Sequence, residues 1–431
     1  MSQYKTGTVA ITNGSATVTG TGTAWLANVS AGQFFGVDGD GVFYTVASIA
    51  SDTSLTLSAN YGGTTGSGKT YSIVRDYTSP DSIPLLSAND IQTAAVFARA
   101  MTRVQELFLA GSRGLFRKDN PTIVAFAKTG AFAASTATAL YIEVNGTIKT
   151  ISASTAIAMP GSPIAGTDYA IWAKTNGTLE ATNDHATPPT ANARKIGGFH
   201  YAPGGNAPAQ SGGDTTPAIN AYSFWDLKFR PACPDPRGMA LVADGFWSCI
   251  YLLGVEHLTN GPSKYNVTIA DGSSPPKIPT KFGGNGTTAY ADGNWWNMHE
   301  ALRSHGLRFP TYSEFAALAY GTTEAASATA GTDPVSTILR AESTSKWGML
   351  LSTGNLWVWG DEFGGGAAGA GWTANTQGRG STYQMENAVP FGGYWSDGVN
   401  AGSRCSNWSN SPAYSSGIIG ARGVCGHLIL D

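Results

Sequence analysis

The chain has 431 residues, of which only 13% are charged, and its formal net charge is -3. No basic field is available to attract a phosphate backbone, which argues against nucleic acid as a partner. No run of about 18 apolar residues could insert into a membrane.

At about 100 to 200 residues per domain the length suggests roughly two to four domains. Glycine fills 55 positions. With Ser, Thr and Asn so abundant beside it, the composition is that of loop-rich β structure with hydroxylated surfaces. The opening Met1-Ser-Gln-Tyr-Lys lacks a basic segment followed by an apolar one, so synthesis in a cytoplasm without a signal peptide is expected.

Residues 1–80 alternate apolar and hydroxylated positions in short bursts, as in Gly7-Thr-Val-Ala-Ile-Thr and Ser15-Ala-Thr-Val-Thr-Gly. That period of two, broken by turns, predicts a small β module. Gly20-Thr-Gly-Thr-Ala-Trp, Gly32-Gln-Phe-Phe and Thr53-Ser-Leu-Thr-Leu resemble the small N-terminal modules of phage tail fibres, which implies attachment to a particle.

Residues 81–118 form a helical connector. Ser87 and Asp90 resemble a cap and Gly111 a stop, while Thr93, Phe97, Ala100, Val104 and Leu107 recur at spacings of four and three. This spacing suits a trimer coiled coil or a helix packed on its own domain. Residues 119–220 return to alternation in Thr122-Ile-Val-Ala-Phe-Ala, Ala139-Leu-Tyr-Ile-Glu-Val and Tyr169-Ala-Ile-Trp-Ala, predicting a β-sandwich. Ala202 to Asp214, rich in Pro, Gly and Asn, reads as an exposed loop or linker.

From residue 221 to 431 the chain becomes rich in Trp and Gly, with little regular periodicity. Helices are predicted from Trp295 to His305 and from Ser313 to Tyr320, the second opened by a capping box of Thr311 and Glu314. The fold class expected is α+β, mainly β.

This last region carries Leu307-Arg-Phe-Pro-Thr-Tyr-Ser-Glu-Phe-Ala-Ala-Leu, Gly354-Asn-Leu-Trp-Val-Trp-Gly, Gly392-Gly-Tyr-Trp and Gly420-Ala-Arg-Gly-Val. In these motifs it resembles the C-type-lectin-like domains of formylglycine-generating and sulfatase-modifying proteins. Gly360-Asp-Glu-Phe-Gly-Gly-Gly, Gly402-Ser-Arg and the ending Gly420 to Asp431 narrow the resemblance to the major tropism determinant family of phage receptor-binding proteins. The likeness is expected to run from about Phe224 onward.

Membership implies a homotrimer on a virion tail fibre or tail tip, in contact with tail or baseplate proteins and with a bacterial cell-surface protein or glycan. It also implies positions that a diversity-generating retroelement varies between fixed anchors. Those positions here are Tyr394, Ser396, Asp397, Gly398, Asn400, Asn407, Ser409, Asn410, Tyr414, Ser416, Ile418 and Ile419. Independently of the resemblance, residues 394–419 mix Tyr, Ser, Asn, Gly and Asp as antibody-type binding surfaces do. Trp395 and Trp408, which alternate with the polar positions, are expected to face inward.

Catalytic chemistry has little support. The six histidines show no H-E-x-x-H spacing, and His427 is expected to be packed. Cys233, Cys249, Cys405 and Cys425 are expected as mostly free thiols, with a Cys233–Cys249 or Cys405–Cys425 bridge under oxidising conditions. The enzymatic relatives need closely spaced cysteines that this region lacks. No cofactor is expected; Asp361 and Glu362 could hold a structural calcium ion or bond to nearby backbone. The function expected is host adsorption, not catalysis. The alternatives are a surface-polysaccharide depolymerase, whose carboxylate pair a sequence cannot reveal, and a purely structural fibre subunit.

Overall fold

The computed structural model describes residues 3–75, 93–367, 371–374, 379 and 381–430. They fall into two compact units, which meet in sequence at Arg113 and Gly114.

The first unit is built on an antiparallel sheet of eight strands. Alternation does the work: Thr17–Thr21 buries Val18 and Gly20 and exposes its three threonines. Trp25, Phe35, Leu55, Tyr71 and Ile73 form the core, where Trp25 Nε1 donates to the Tyr71 hydroxyl at 2.9 Å. The helix Thr93–Ser112 closes the unit. It runs through Gly111, the expected stop, and the left-handed residue is Gly114, with φ +77°. Met101, Val104, Leu107 and Phe108 are all exposed on its last turns. The cap expected at Ser87 and Asp90, and the side chains of Thr93, Phe97 and Ala100, lie outside the described residues.

The second unit begins with two facing sheets. One orders Thr147–Ile151, Leu140–Val144 and Phe116–Lys118; the other has Thr167–Ala173 and Arg194–Ala202 at its centre. Phe116, Leu140, Ile142 and Ile151 from the first meet Tyr169, Ile171, Ile196 and Phe199 from the second. The boundary expected at residue 221 falls inside this unit, because Trp225–Asp226 pairs with Gly197 and Gly198 of the second sheet.

Asp226 locks the crossing. One oxygen takes the Lys118 ammonium at 3.0 Å and the Ala125 N–H at 2.8 Å. The other accepts from the Lys228 and Phe229 N–H groups. Nor is the segment 202–214 a solvated linker. The Ala207, Gly212 and Gly213 N–H groups donate to the carbonyls of Ser345, Gly321 and Ala341, which fastens the sandwich to the region that follows.

That region explains its own lack of periodicity. Its strands include Met239–Val242, Phe246–Cys249, Trp357–Ala367, Glu386–Phe391 and Val424–Ile429. Met239, Leu241, Trp359, Ala388 and Cys425 enter one core with Met298, Leu302 and Phe309. Their chain neighbours Ala240, Val242, Val358, Val389 and Val424 enter a second, with Phe315 and Leu318. Where these strands run between the two cores both of their faces are therefore buried, and polar alternation disappears there.

Two helices of this region, Trp295–Ser304 and Tyr312–Leu318, contribute one to each core. The second opens with the expected capping box, in which Thr311 and Glu314 bond reciprocally. Glu314 also takes the Arg308 guanidinium in a fork. The protein is α+β and mainly β. Among the described residues no helix is long and apolar enough to cross a membrane.

Candidate binding site

The twelve candidate positions lie on the stretch between the strand Glu386–Phe391 and the strand Val424–Ile429. Its first part, 393–401, turns on Asp397, whose carboxylate accepts the Tyr394 N–H at 2.7 Å. Burial raises the Asp397 pKa above the ordinary carboxylate value, and that backbone bond partly opposes the rise. Gly398 adopts φ +54°. Its N–H donates to Ser327 Oγ at 2.7 Å, and the same hydroxyl donates to the Tyr394 carbonyl at 3.1 Å. One serine of a separate loop thus holds both ends of the turn. Ser396, Gly398 and Asn400 are exposed, Asp397 and Tyr394 half-buried.

The second part, 405–410, runs beside the strand Glu386–Phe391. Gly392 N–H bonds to the Cys405 carbonyl, Asn407 N–H to Pro390 and Ala388 N–H to Asn410. The Asn407 side chain accepts from both the N–H and the hydroxyl of Ser409, at 3.0 and 2.6 Å. The third part, 411–419, is strapped from below. Trp295 N–H donates to Pro412 and Gly272 N–H to Ser416, while the Gly293 N–H reaches Ser415 Oγ. Tyr414 stands 41% exposed.

Beneath the stretch is Arg422, completely buried. Its guanidinium donates to the carbonyls of Cys249 and Ile250 at 2.6 and 2.7 Å, and to that of Leu350. Burial lowers its pKa to about 10. It is a cross-link made of charge, joining the end of the candidate stretch to two distant segments.

Residues 124–226 match the family described as the Mtd second domain. A tail fiber receptor-binding protein of Bordetella phage BPP-1 is 52% identical over 327 residues, which is 73% of this chain and 85% of the relative. The chain belongs to the major tropism determinant family. Two solved members, the M1 and P3c variants of the Major Tropism Determinant, superpose with a TM-score of 0.73 at 51% and 52% identity, each over 75% of this chain and 88% of theirs.

The family likeness therefore reaches beyond the expected start at Phe224 and takes in the sandwich. Within the candidate stretch, two placements differ from expectation. Ile419 is 1% exposed, pairs with Trp357 and belongs to the core, so its side chain presents nothing to a partner. Ile418 is half-buried against the same core. Trp408, expected to face inward, is 37% exposed and lies on Gly364 and Gly365, where a side chain at either position would collide with it. Trp395 is half-buried on the second core.

Val399, 78% exposed between Gly398 and Asn400, was not among the candidates, although its place in a Gly-Val-Asn turn is a signal of exposure. Arg422 lies in the Gly420 to Asp431 ending that carries the resemblance, but nothing in the sequence showed which groups it or Ser327 would bind, since their partners lie 67 to 173 residues away.

Of the acidic pair Asp361 and Glu362, Glu362 is engaged by backbone. Both Glu362 oxygens accept the Tyr312 N–H at 2.8 Å, and burial raises its pKa. Among the described residues no group of three or more His, Cys, Asp or Glu side chains gathers to hold a metal ion. His427 is packed: it accepts from Trp247 Nε1 at 2.8 Å and its ring meets Phe229 at 4.3 Å. All four cysteines are free thiols, and the neighbour of Cys425 is Cys233 rather than Cys405.

Proposed function

We propose that this chain is a phage tail adhesin whose stretch 393–418 contacts a protein or glycan on the bacterial surface. The observation that carries the reading is the contrast within that stretch. Ser396, Asn400, Ser409, Tyr414 and Val399 are exposed, while the backbone beneath them is held by residues outside the stretch. Such a design lets side chains be exchanged without disturbing the core. It also avoids much of the ordering cost that a floppy loop would meet on binding.

A polar surface of this kind gives modest affinity per site. Self-association into a trimer multiplies it, because a second contact from a tethered copy sees a high effective concentration. The exposed Met101, Val104, Leu107 and Phe108 support a self-associating helix, since their spacing forms one apolar stripe. The names of the relatives, a tail fiber receptor-binding protein and tropism determinants, support placement on the virion tail and a role in binding rather than catalysis.

The test is exchange of residues 393–418 for the matching stretch of a relative with a different host. Adsorption should follow the stretch. Adsorption that follows the rest of the chain would refute the assignment.

A further inference from the structure

Two cysteines come close where the last strand is paired. Phe229–Pro231 pairs antiparallel with Val424–Ile429 in the register Phe229↔Ile429, Arg230↔Leu428 and Pro231↔His427. The strand ends at Pro231, but one step further the Ala232 N–H still donates to the Gly426 carbonyl at 2.9 Å, which brings Cys233 to the level of Cys425. The Leu430 N–H donates to the Lys228 carbonyl at 2.7 Å, which makes the even-numbered residues of the first strand the hydrogen-bonded ones. Pro231, which has no N–H, sits correctly in the other set.

Cys233 and Cys425 thus stand at the level of a non-hydrogen-bonded pair, the kind in which Cα atoms lie about 4.5 Å apart and side chains are closest. That separation falls inside the roughly 4.4–6.8 Å that a disulfide spans. Both side chains are buried in the same core, and the Cys233 thiol, which donates to the Asp235 carbonyl at 3.2 Å, lies beside that of Cys425. Cys249 sits nearby but opposes Gly423 on one side and Met239 on the other. Cys405 lies on the candidate stretch, its carbonyl bonded to Gly392.

We propose that Cys233 and Cys425 close into an intramolecular disulfide once the protein leaves a reducing compartment. With a small disulfide such as oxidised glutathione as oxidant, the Cys233 thiolate attacks one sulfur and expels a glutathione thiolate. Cys425 then loses its proton and attacks the Cys233 sulfur of the mixed disulfide, expelling the second. Two protein thiols are oxidised, one small disulfide is reduced to two thiols, and the two protons end on the leaving groups. The loop so closed holds every candidate contact position, and the bond pins its far end to the strand where the region begins. Closing so long a loop restricts the unfolded chain and stabilises the fold.

The full-length protein is to be purified with reductant and then incubated with oxidised glutathione. Because the thiols are buried, a second sample is refolded from guanidinium in a glutathione buffer. Free thiols are alkylated under denaturing conditions and peptides identified by mass spectrometry. The expected result is loss of alkylation at Cys233 and Cys425 together, a peptide joining them, and labelling of Cys249 and Cys405. The oxidised protein should melt at a higher temperature than the reduced one, a difference that Cys233→Ser abolishes and Cys249→Ser preserves. Alkylation of all four cysteines in both samples, or a bond involving Cys249 or Cys405, would overturn the proposal.

Discussion

Replacing Arg422 is the sharpest probe of the scaffold. Its guanidinium supplies donors to three buried carbonyls, those of Cys249, Ile250 and Leu350, and among the described residues no carboxylate pairs with it. Hydrogen bonds to a charged group contribute about 1.5–3 kcal/mol each, so Arg422→Ala forfeits about 4.5–9 kcal/mol gross. Releasing the charge from its buried site returns several kcal/mol of desolvation. The net loss expected is about 3–5 kcal/mol, near a thousandfold in the folding equilibrium. It corresponds to a fall of about 10 °C in the melting temperature. Arg422→Met fills most of the volume but satisfies no carbonyl, so it should lose nearly as much. Arg422→Lys cannot span the fork and should fall between. Tryptophan fluorescence in a guanidinium titration reads all three. A loss below about 1 kcal/mol for both Ala and Met would show that the carbonyls find other partners and that this cross-link is not a support.

Three other perturbations separate the parts of the account. Asp226→Asn leaves the Lys118 ammonium buried without its partner, and denaturant unfolding should record a loss of about 3–5 kcal/mol; a neutral result would contradict the locking role. His305 packs on His257 with ring nitrogens 2.8 Å apart, and burial followed by His257 lowers its pKa to about 4 from the ordinary 6.5. The unfolded chain therefore takes up the proton first, so the stability present above pH 6.5 should fall as the pH drops toward about 4. His305→Gln should flatten that slope in urea titrations, and an unchanged slope would exclude the pair as its source. Gly365→Ala drives a methyl group into Trp408 from a residue already at φ +74°; adsorption should drop while the far-ultraviolet circular dichroism stays that of the parent, and parental adsorption would count against Trp408 having a set position.

Local features were the ones the sequence displayed. The Thr311–Glu314 capping box needs only four consecutive residues, and the alternation in Thr17–Thr21 only five, so both were legible. Features that depend on distant segments were not. Ala202 to Asp214 looks like a linker by composition, and only carbonyls more than a hundred residues further along make it a docked segment. The strand Val424–Ile429 sends Val424 and Cys425 into different cores, and a strand wet on neither face at that end shows no period of two. The candidate contacts were placed by matching anchors, which locates a stretch but not the direction of each side chain. Ile419 therefore joined the candidates although buried, and Val399 was passed over although exposed. The Cys233–Cys425 register was invisible for the same reason: it is set by strand pairing across almost the whole second half of the chain.

The most direct measurement is adsorption of the intact protein to its host cells after Asn400, Ser409 and Tyr414 are replaced together by alanine. All three are exposed and none belongs to the core, so melting temperature and oligomeric state should match the parent. Binding should fall at least tenfold, about 1.4 kcal/mol. Undiminished adsorption by a correctly folded triple variant would contradict the claim that this stretch is the contact surface.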